Sequence, residues 1–516
     1  MKRIFFSFVI LTSTFFYVFA GGLVTNSNQS ASYFRMLARG ASTSGDAVYY
    51  NPAGLAFLDD GFTISLNTQM IWMQRTLNNN LATLNNPEFI GKLYVPVFPG
   101  VYAAYKTGNW TFSLGFNPPA GGGSIKFDKG LPMLEKDVSM IPPSLSAPQP
   151  QGLGIPTKNY SMESMMDGSS IVYGVQAGAT YRIGEKFSVF GGVRMMFASN
   201  SYKGHVKDIM INPQHPQINP SGGLMSAPTF FTTMATGLNA QAAQADAAAA
   251  QAEANNMPDV AAEYRAAAAA ARGAAAAMSA NAAATGNQEL DVTQKGKGFA
   301  PILGIHFQHH SFNLAAKYEF ATKITIENDT KANAMNMYPN MDKPGGKLRS
   351  DVPAVLSLAG SYNILTPLKL SVTYIHHFEK QAFFESWVAT PTPANPLDGY
   401  IVRRQDLIDS NTNEFMLGLE WNATSKLTLS MGGQYTNFGV KETWQNDITH
   451  HLDNFTLGLG VAYHFNDKLT LNIGGLNTWY SPVSIEYNAP VKHTQKYDRS
   501  NIAIAIGLDF NFGKKK

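Results

Sequence analysis

The feature that most constrains this chain is a two-residue alternation that recurs along its length. The final example, residues 501–512, reads NIAIAIGLDFNF and places a large apolar residue at every even position. A period of two indicates a β-strand whose two faces differ. The odd positions carry alanine, glycine, aspartate and asparagine, which are too small or too polar to build a core. The bulky face therefore needs an apolar environment outside the chain's own core.

Fourteen segments share this alternation, among them FTLGLGVAYHF and LTLSMGGQY. Each is near or above the roughly 9–11 residues that cross a bilayer as a tilted strand. Tight turns alternate with long connections, which are predicted at residues 74–96, 118–168, 203–298, 327–351 and 385–412. A soluble sandwich, the alternative, gives no reason for such segregation of loop lengths. The pattern predicts an all-β fold, a transmembrane antiparallel up-and-down β-barrel of 14 strands over residues 61–512, with short periplasmic turns and long outer loops. Large residues such as Ile504 would face lipid. Small ones such as Ala505 would face the lumen, where an arginine is expected to cost much less.

The first residues indicate export. Residues 1–20 combine two cations, a short apolar run and a small-residue cleavage context ending at Ala20, which is typical of a secretory signal peptide. An uncleaved membrane anchor is the alternative. The chain has no cysteine, which excludes disulfides, thiolate metal sites, a catalytic cysteine and a lipid anchor of the lipobox type. A formal net charge of +3 gives no reason to expect a nucleic-acid partner. The predicted location is the bacterial cell outer membrane, as a multi-pass β-barrel.

Residues 21–60 do not fit the strand pattern and are longer than a tail needs to be. They mix small, polar and apolar residues, with a turn expected at Asn51-Pro52 and apolar side chains at Leu55 and Phe57. A barrel of 14 strands is wide enough to leak unless something fills it. We therefore expect an N-terminal hatch inside the lumen; a loose periplasmic leader is the alternative.

A specific resemblance lies in ARGASTSGDAVYYNPAGLA, whose core is Asn51-Pro52-Ala53-Gly54. This stretch resembles the N-terminal hatch signature of the FadL-type transporters, outer-membrane channels for long-chain fatty acids and other hydrophobic compounds. Two later stretches, DVPAVLSLAGSYNILTPLKLSVTYIHHF and NEFMLGLEWNATSKLTLSMGGQY, resemble strand pairs of the same family. The resemblance implies a fourteen-stranded barrel with a hatch. Two departures are the basic tail at residues 513–516 and the unusually large third outer loop.

The third predicted strand runs into NPPAGGG, which contains Pro118, Pro119, Gly121, Gly122 and Gly123. Prolines remove ladder donors and glycines tolerate sharp bends, so the wall would open most easily here. In the resembled family an inward kink of the third strand creates a lateral gap, and we expect a lateral gate at these residues. Alternatively, they begin the outer loop.

Strand parity places Arg194, Lys317, Phe190 and Met196 in the lumen as candidate ligand-binding residues, together with Glu319. Arg194 beside Met196 is our hypothesis for a carboxylate clamp over an apolar wall. The alternative is a structural salt-bridge network in which Arg194 or Lys317 pairs with Glu319.

The third outer loop contains an alanine-rich stretch at residues 235–287. Alanine is the best helix former, so the stretch predicts helix, broken into two by Asn255-Asn256 and Pro258. In the resembled family, helices in the outer loops shape a hydrophobic groove where the ligand first binds, and the resemblance implies the same use here. A solvated spacer and an adhesive surface are alternatives.

No catalytic set or cofactor site is predicted. A phospholipase would need a serine, a histidine and an orienting group on one wall, and no spacing singles these out. Adjacent histidines point to opposite faces of a strand, so the three His-His pairs do not predict a metal site.

Together these observations predict a passive import channel for hydrophobic compounds, foremost long-chain fatty acids, acting through an outer groove, a lumenal pocket and hatch movement. Its expected partners are that ligand, outer-membrane lipid and the barrel-assembly machinery, and it is expected to be a monomer. A general diffusion porin and a surface adhesin or haemin receptor remain alternatives.

Overall fold

The computed structural model describes residues 30–149, 151–333, 345–389, 399–488 and 491–513. The predicted signal peptide and the three terminal lysines lie outside the described residues. Within the described ranges, no helix combines the length and the apolar character needed to cross a membrane.

Fourteen antiparallel strands form a closed barrel, which confirms the predicted fold class. Each strand pairs with the next along the chain, and the last pairs with the first from Thr63↔Asn511 to Asn79↔Gln495. The strands are β1 Gly61–Asn79, β2 Glu88–Thr107, β3 Trp110–Phe127, β4 Tyr160–Ile183, β5 Phe187–Ile211, β6 Gln288–His309, β7 Phe312–Glu319 continued by Thr325–Asn333, β8 Lys347–Arg349 continued by Val355–Leu365, β9 Leu368–His377, β10 Asn413–Asn422, β11 Leu427–Asn437, β12 Asn454–Asn466, β13 Leu469–Tyr480 continued by Val483–Tyr487, and β14 His493–Asn511.

Six α-helices accompany the barrel in the part of the chain that the structure describes. Two precede it and four belong to outer loops; they are α1 Ala31–Arg35, α2 Ala47–Tyr50, α3 Pro132–Ser139, α4 Ile141–Ser146, α5 Ala227–Ala254 and α6 Pro258–Ala284. A short 3₁₀ helix, Pro52–Phe57, lies between α2 and β1.

The two faces of β14 are as predicted. Ile502, Ile504 and Ile506 are exposed on the outside by 54%, 39% and 40%, whereas Ala503 and Ala505 are buried. Aromatic pairs such as Trp72 with Tyr94 lie on the same outer surface, as in the interfacial girdles of membrane barrels. The expectation that an arginine at Ala505 would cost much less than one at Ile504 rests on an open lumen, whereas Ala505 packs in the main apolar cluster and has no exposed surface.

The strands extend further than the alternation predicted. The connection between β1 and β2 spans residues 80–87 rather than 74–96, and that between β3 and β4 spans 128–159 rather than 118–168. Apolar alternation marks only the part of a strand that faces lipid, whereas backbone pairing continues beyond it. Residues 199–211 of β5, for example, still pair with β4.

The alanine-rich stretch forms the predicted pair of helices. α5 and α6 form a hairpin that breaks at Asn255–Asn256, where Asn256 has a φ of 55°. Ala242, Ala249, Ala261 and Ala268 are buried, so their small side chains let the helices approach closely. The hairpin begins earlier than predicted because Ala227 already opens α5, after an N-cap by Ser226.

Candidate functional site

The described residues that precede the barrel, 30–58, lie inside it. α1 begins at an N-cap in which the Ser30 hydroxyl accepts a hydrogen bond from the Tyr33 backbone N–H at 3.0 Å, and the helix is buried throughout. The barrel wall needs small side chains where α1 contacts it, because a Cβ added at Gly474 would lie 2.6 Å from the backbone nitrogen of Arg35. The glycine-rich inner face of the strands is therefore a packing surface for this segment. We call residues 30–58 the hatch segment.

Hydroxyls of the wall bind the backbone of the predicted hatch signature. Ser188 on β5 donates to the carbonyl oxygen of Ala53 at 2.6 Å. Thr180 on β4 donates to that of Pro52 at 2.8 Å. The Asn51 side-chain amide donates to a carbonyl within the hatch segment at 2.9 Å and lies 2.9 Å from Nδ1 of His306 on β6. The signature thus docks on three adjacent strands.

The residues after this core continue the same contact. Leu55 is fully buried. The Phe57 ring lies 5.1 Å from the His306 ring and 4.9 Å from the guanidinium carbon of Arg182. A Cβ at Gly54 would lie 2.5 Å from the carbonyl oxygen of Ser42, which accounts for glycine at this position.

Buried ion pairs fix the other end of the hatch segment. Arg39 pairs with Asp46 at 2.8 Å within the segment, and Arg35 pairs with Glu420 of β10 at 2.9 Å. Lys369 of β9 approaches the same glutamate at 3.3 Å. Buried pairs of this kind contribute little net stability, but losing one partner is costly. The segment is therefore held in one orientation by a small number of specific contacts.

β3 bends inward at the residues singled out by the sequence. In a regular strand alternate residues would face outward, but Asn117, Pro118, Pro119 and Ala120 are all buried. The pairing with β4 is irregular on both sides of Ala120. Gly121 has a φ of 81°, and a Cβ there would lie 2.1 Å from a backbone oxygen of β4. These residues do not begin the outer loop, because β3 continues to Phe127.

The bend leaves a gap in the wall. β2 pairs with β3 from Val101↔Phe116 to Thr107↔Trp110, and again only at Gly91↔Phe127 and Lys92↔Lys126. Residues 93–100 of β2 therefore have no partner in β3. Val97, in the middle of this stretch, is 64% exposed on the outer surface.

Three of the four predicted lumen residues meet at one place. Arg194, Met196 and Lys317 line a cavity of about 60 Å³ together with Glu319 and Pro119. Nη1 of Arg194 lies 2.6 Å from the Glu319 carboxylate, so the charge of the predicted clamp is already paired. Lys317 donates to a carbonyl oxygen of the hatch segment at 2.8 Å.

Phe190 does not join this cavity. It is buried against Ala53 of the hatch segment and Ile302 of β6. The alternation along β5 correctly predicted that Phe190 points into the lumen. It does not predict the height of a residue along the barrel axis, and at its actual height Phe190 lies beside the hatch signature.

A second, larger cavity of about 310 Å³ was not predicted from the sequence. We call it the upper chamber. Tyr33 of the hatch segment lines it on one side and residues 448–451 of the β11–β12 loop on another; Ala120, Gly121 and Gly123 place the bend of β3 on its wall. We call the β11–β12 loop, residues 438–453, the roof loop. It is tied to α3, since Asp447 accepts from the Met133 backbone N–H at 2.8 Å. Burial raises the pKa of Asp447 to about 6.

Part of the chamber's lining could have been predicted from the sequence. The alternation of β1 and β14 places Arg75 and Arg499 on the inward face, and both line the chamber.

Among the described residues, no group of three or more histidine, aspartate or glutamate side chains is arranged to hold a metal ion.

These features define a class of protein: a closed fourteen-stranded transmembrane-type barrel whose bore holds its own N-terminal segment and whose wall is unpaired beside β3. Solved structures share this fold. A FadL homologue from Pseudomonas aeruginosa matches with a TM-score of 0.59 and 12% identity, over 96% of this chain and 100% of that chain. The Pseudomonas putida toluene transporter TodX matches with a TM-score of 0.53 and 14% identity, over 95% of this chain and 100% of that chain.

The resemblance drawn from the hatch signature is thus confirmed at the level of the fold. No protein-family model matches the sequence, and no curated protein matches it significantly.

Proposed function

We propose that the protein is an outer-membrane channel that passes hydrophobic compounds, with long-chain fatty acids as the first candidate. The observation that carries the proposal is the unpaired stretch between β2 and β3, because the upper chamber reaches the wall at that stretch. A water-filled pore gives a hydrophobic solute no favourable surface, whereas a lateral opening lets it move between the chamber and lipid. The fold shared with a FadL homologue and a toluene transporter supports this proposal.

The filled bore favours a plugged channel over a diffusion porin. The inner cavity of about 60 Å³, which contains Arg194, Met196 and Lys317, is far below the roughly 300–1,000 Å³ of ordinary ligand sites. A ligand that reaches these residues needs the hatch segment to move. The hatch segment is a short, separately folded part of the bore, so we expect its local movement rather than opening of the barrel to limit transport.

The test straightens β3. Replacing Pro118, Pro119 and Gly121 by threonine restores two ladder donors and removes the residue that permits the bend. We expect uptake of a labelled long-chain fatty acid into vesicles to fall strongly. The matched control places threonine at Gly191 of β5, an exposed strand position without a positive φ, where an added Cβ meets no atom within 4 Å. Unchanged uptake by the straightened protein, with its heat-modifiable gel mobility intact, would exclude the lateral route.

A further inference from the structure

The outer surface of the barrel carries lysines directly beyond its apolar band. The odd-numbered residues of β6 face outward, and the last large apolar one toward the outer loops is Phe299. Beyond it on the same face come Lys297 and Lys295, both exposed. On β5, Phe197 is the register partner of Lys297 and is also the last exposed apolar residue of its strand. The apolar band thus ends at the same level on both strands, and lysines follow it.

A third lysine joins these two from the neighbouring strand. Lys323 lies between the two parts of β7 and is exposed. A Cβ added at Gly298 of β6 would lie 2.4 Å from the carbonyl oxygen of Lys323, so the main chain there packs against the part of β6 that carries Lys297. We call Lys295, Lys297 and Lys323 the basic cluster.

The basic cluster differs from the lysines around it in having no carboxylate partner. Other lysines on this outer surface are paired, as in Lys203–Asp291, Lys207–Glu289 and Lys347–Glu327. Glu327 is the register partner of Lys295, but it is held by Lys347 at 3.3 Å. The three lysines of the basic cluster form no ion pair with any described residue. Like charges close together on one face of a sheet are unfavourable, and an anion from outside the chain would relieve their repulsion.

The apolar band has the height of a bilayer core. On β5 its outward residues run from Phe187 to Phe197. At the usual rise of about 3.3 Å per residue and a strand tilt of about 35–45°, this stretch covers about 25 Å along the barrel axis. Transmembrane barrels have an apolar band of about that height. The outer end of the band therefore marks where acyl chains give way to headgroups.

The basic cluster lies at the level of those headgroups. By the same geometry, Lys297 and Lys295 are roughly 5 and 10 Å beyond Phe299 along the barrel axis. The headgroup layer on one side of a bilayer is roughly 5–8 Å deep. Lys297 lies within that layer, and the long side chain of Lys295 can bend back into it.

We propose that the basic cluster binds the phosphate group of a lipid of the outer leaflet, whose acyl tails lie on the apolar band below. Lysine ammonium groups bind phosphate as point charges, and each basic side chain near an anionic lipid surface adds to the attraction. The occupant is a lipid rather than a soluble anion, because the basic cluster is continuous with exposed apolar side chains such as Met195 and Leu303. The inference goes beyond the proposed function, since this surface faces away from the bore and from the gap beside β3.

The experiment measures lipid binding by native mass spectrometry of the full mature protein in a neutral maltoside detergent. Dioleoyl phosphatidic acid and dioleoylglycerol have the same tails and differ in the phosphate, and inorganic phosphate is the competitor without tails. The test variant is Lys295→Gln with Lys297→Gln and Lys323→Gln.

The matched control removes the same number of charges from exposed lysines that are not clustered. It is Lys186→Gln with Lys426→Gln and Lys468→Gln, one in each of three tight turns, which join β4 to β5, β10 to β11 and β12 to β13. Heat-modifiable gel mobility checks that both variants are folded.

We expect phosphatidic acid to bind the wild type and the control variant equally, and the test variant about tenfold more weakly or worse. Dioleoylglycerol should bind all three proteins alike and more weakly than phosphatidic acid binds the wild type. The variant with arginine at the three positions of the basic cluster should keep its affinity for phosphatidic acid, since the charge is retained.

Four results would overturn the inference. The wild type could bind the two lipids equally, the test variant could keep its affinity for phosphatidic acid, or the control variant could lose as much affinity as the test variant. The fourth is displacement of bound phosphatidic acid by inorganic phosphate at an equal concentration, which would identify a site for free anions. The first and fourth comparisons use the wild type alone, so they hold even if the test variant does not fold. All four leave transport through the bore, and with it the proposed function, intact.

Discussion

Arg194 on β5 and Glu319 on β7 face each other inside the barrel, and Nη1 of the arginine lies 2.6 Å from one carboxylate oxygen and 2.7 Å from the other. A third contact joins Arg194 to the side-chain oxygen of Gln176 at 2.5 Å. The pair links strands that are separated by β6, and it lies against the hatch segment, since the guanidinium carbon is 4.7 Å from the ring centre of Tyr49. The arrangement holds the wall and the hatch segment together.

Replacing Glu319 by alanine should therefore destabilise the protein. Breaking a buried pair by removing one partner leaves an uncompensated charge and typically costs about 3–5 kcal/mol. The double variant Arg194→Met with Glu319→Leu should recover much of that loss. Urea unfolding in detergent, monitored by gel mobility, measures the free energy of unfolding of the single and the double variant. The exposed pair Lys492–Glu486 serves as the control, and Glu486→Ala should change little. A Glu319→Ala protein as stable as that control would show that the buried pair holds nothing together.

The alternation of residues along a strand predicts whether a side chain points inward or outward, but it does not predict which inward side chains of different strands meet. Alternation gave the inward direction of Arg194 and Glu319, and the sequence alone left open whether the arginine would pair or stay free. Whether the two side chains meet depends on the stagger of strands around the barrel, which no single strand encodes. The same holds for Arg75 and Arg499, which become neighbours only when the last strand closes on the first.

The lipid-facing side chains give a second prediction. Ile504→Arg should destabilise by about 2–4 kcal/mol, because the charge would face the apolar layer. Ala505 cannot serve as the lumenal control, since it is fully packed. Val491→Arg is the better control, because Val491 is 48% exposed and lies in the loop between β13 and β14. Unfolding in lipid vesicles measures the loss of stability in Ile504→Arg and in the control variant. Equal losses of stability would mean that the assignment of the outer face is wrong.

The outer loops should be more firmly docked in acid. Burial raises the pKa of Asp447 in the roof loop to about 6, above its unfolded value, so the folded state holds a proton that the unfolded loop releases. The stabilising effect is complete below the unfolded pKa and is lost as the pH rises through about 6. Asp137 of α3 shifts in the same direction, also because of burial. Protease cleavage of the outer loops should therefore be slower at pH 5 than at pH 7.5.

Asp447→Asn should reduce that pH difference without abolishing it, since Asp137 still titrates. Glu486→Gln, on the exposed rim, should leave the pH difference unchanged. If the Asn variant and the wild type show the same ratio of cleavage rates, Asp447 does not control the docking.

The bend of β3 was predictable because its cause is local. Pro118 and Pro119 lack ladder donors and Gly121 permits a positive φ, so three neighbouring residues suffice. The upper chamber was not predictable in the same way, because its lining comes from most of the strands and from a loop whose sequence shows no regular pattern. Local chemistry could be read from the sequence, whereas volumes enclosed by distant segments could not.

Whether the hatch segment moves can be tested with a crosslink. A Cβ added at Gly304 of β6 would lie 3.5 Å from the Cβ of Ala53, which is within the roughly 3.5–4.5 Å that a disulfide allows. The chain has no native cysteine to interfere. Ala53→Cys with Gly304→Cys should form a disulfide on oxidation and block uptake of a labelled long-chain fatty acid, and reduction should restore uptake. Each single cysteine variant controls for the substitution itself. Because the crosslink joins the hatch signature to the wall without touching the gap beside β3, normal uptake by the fully oxidised protein would show that the hatch segment is a static filler.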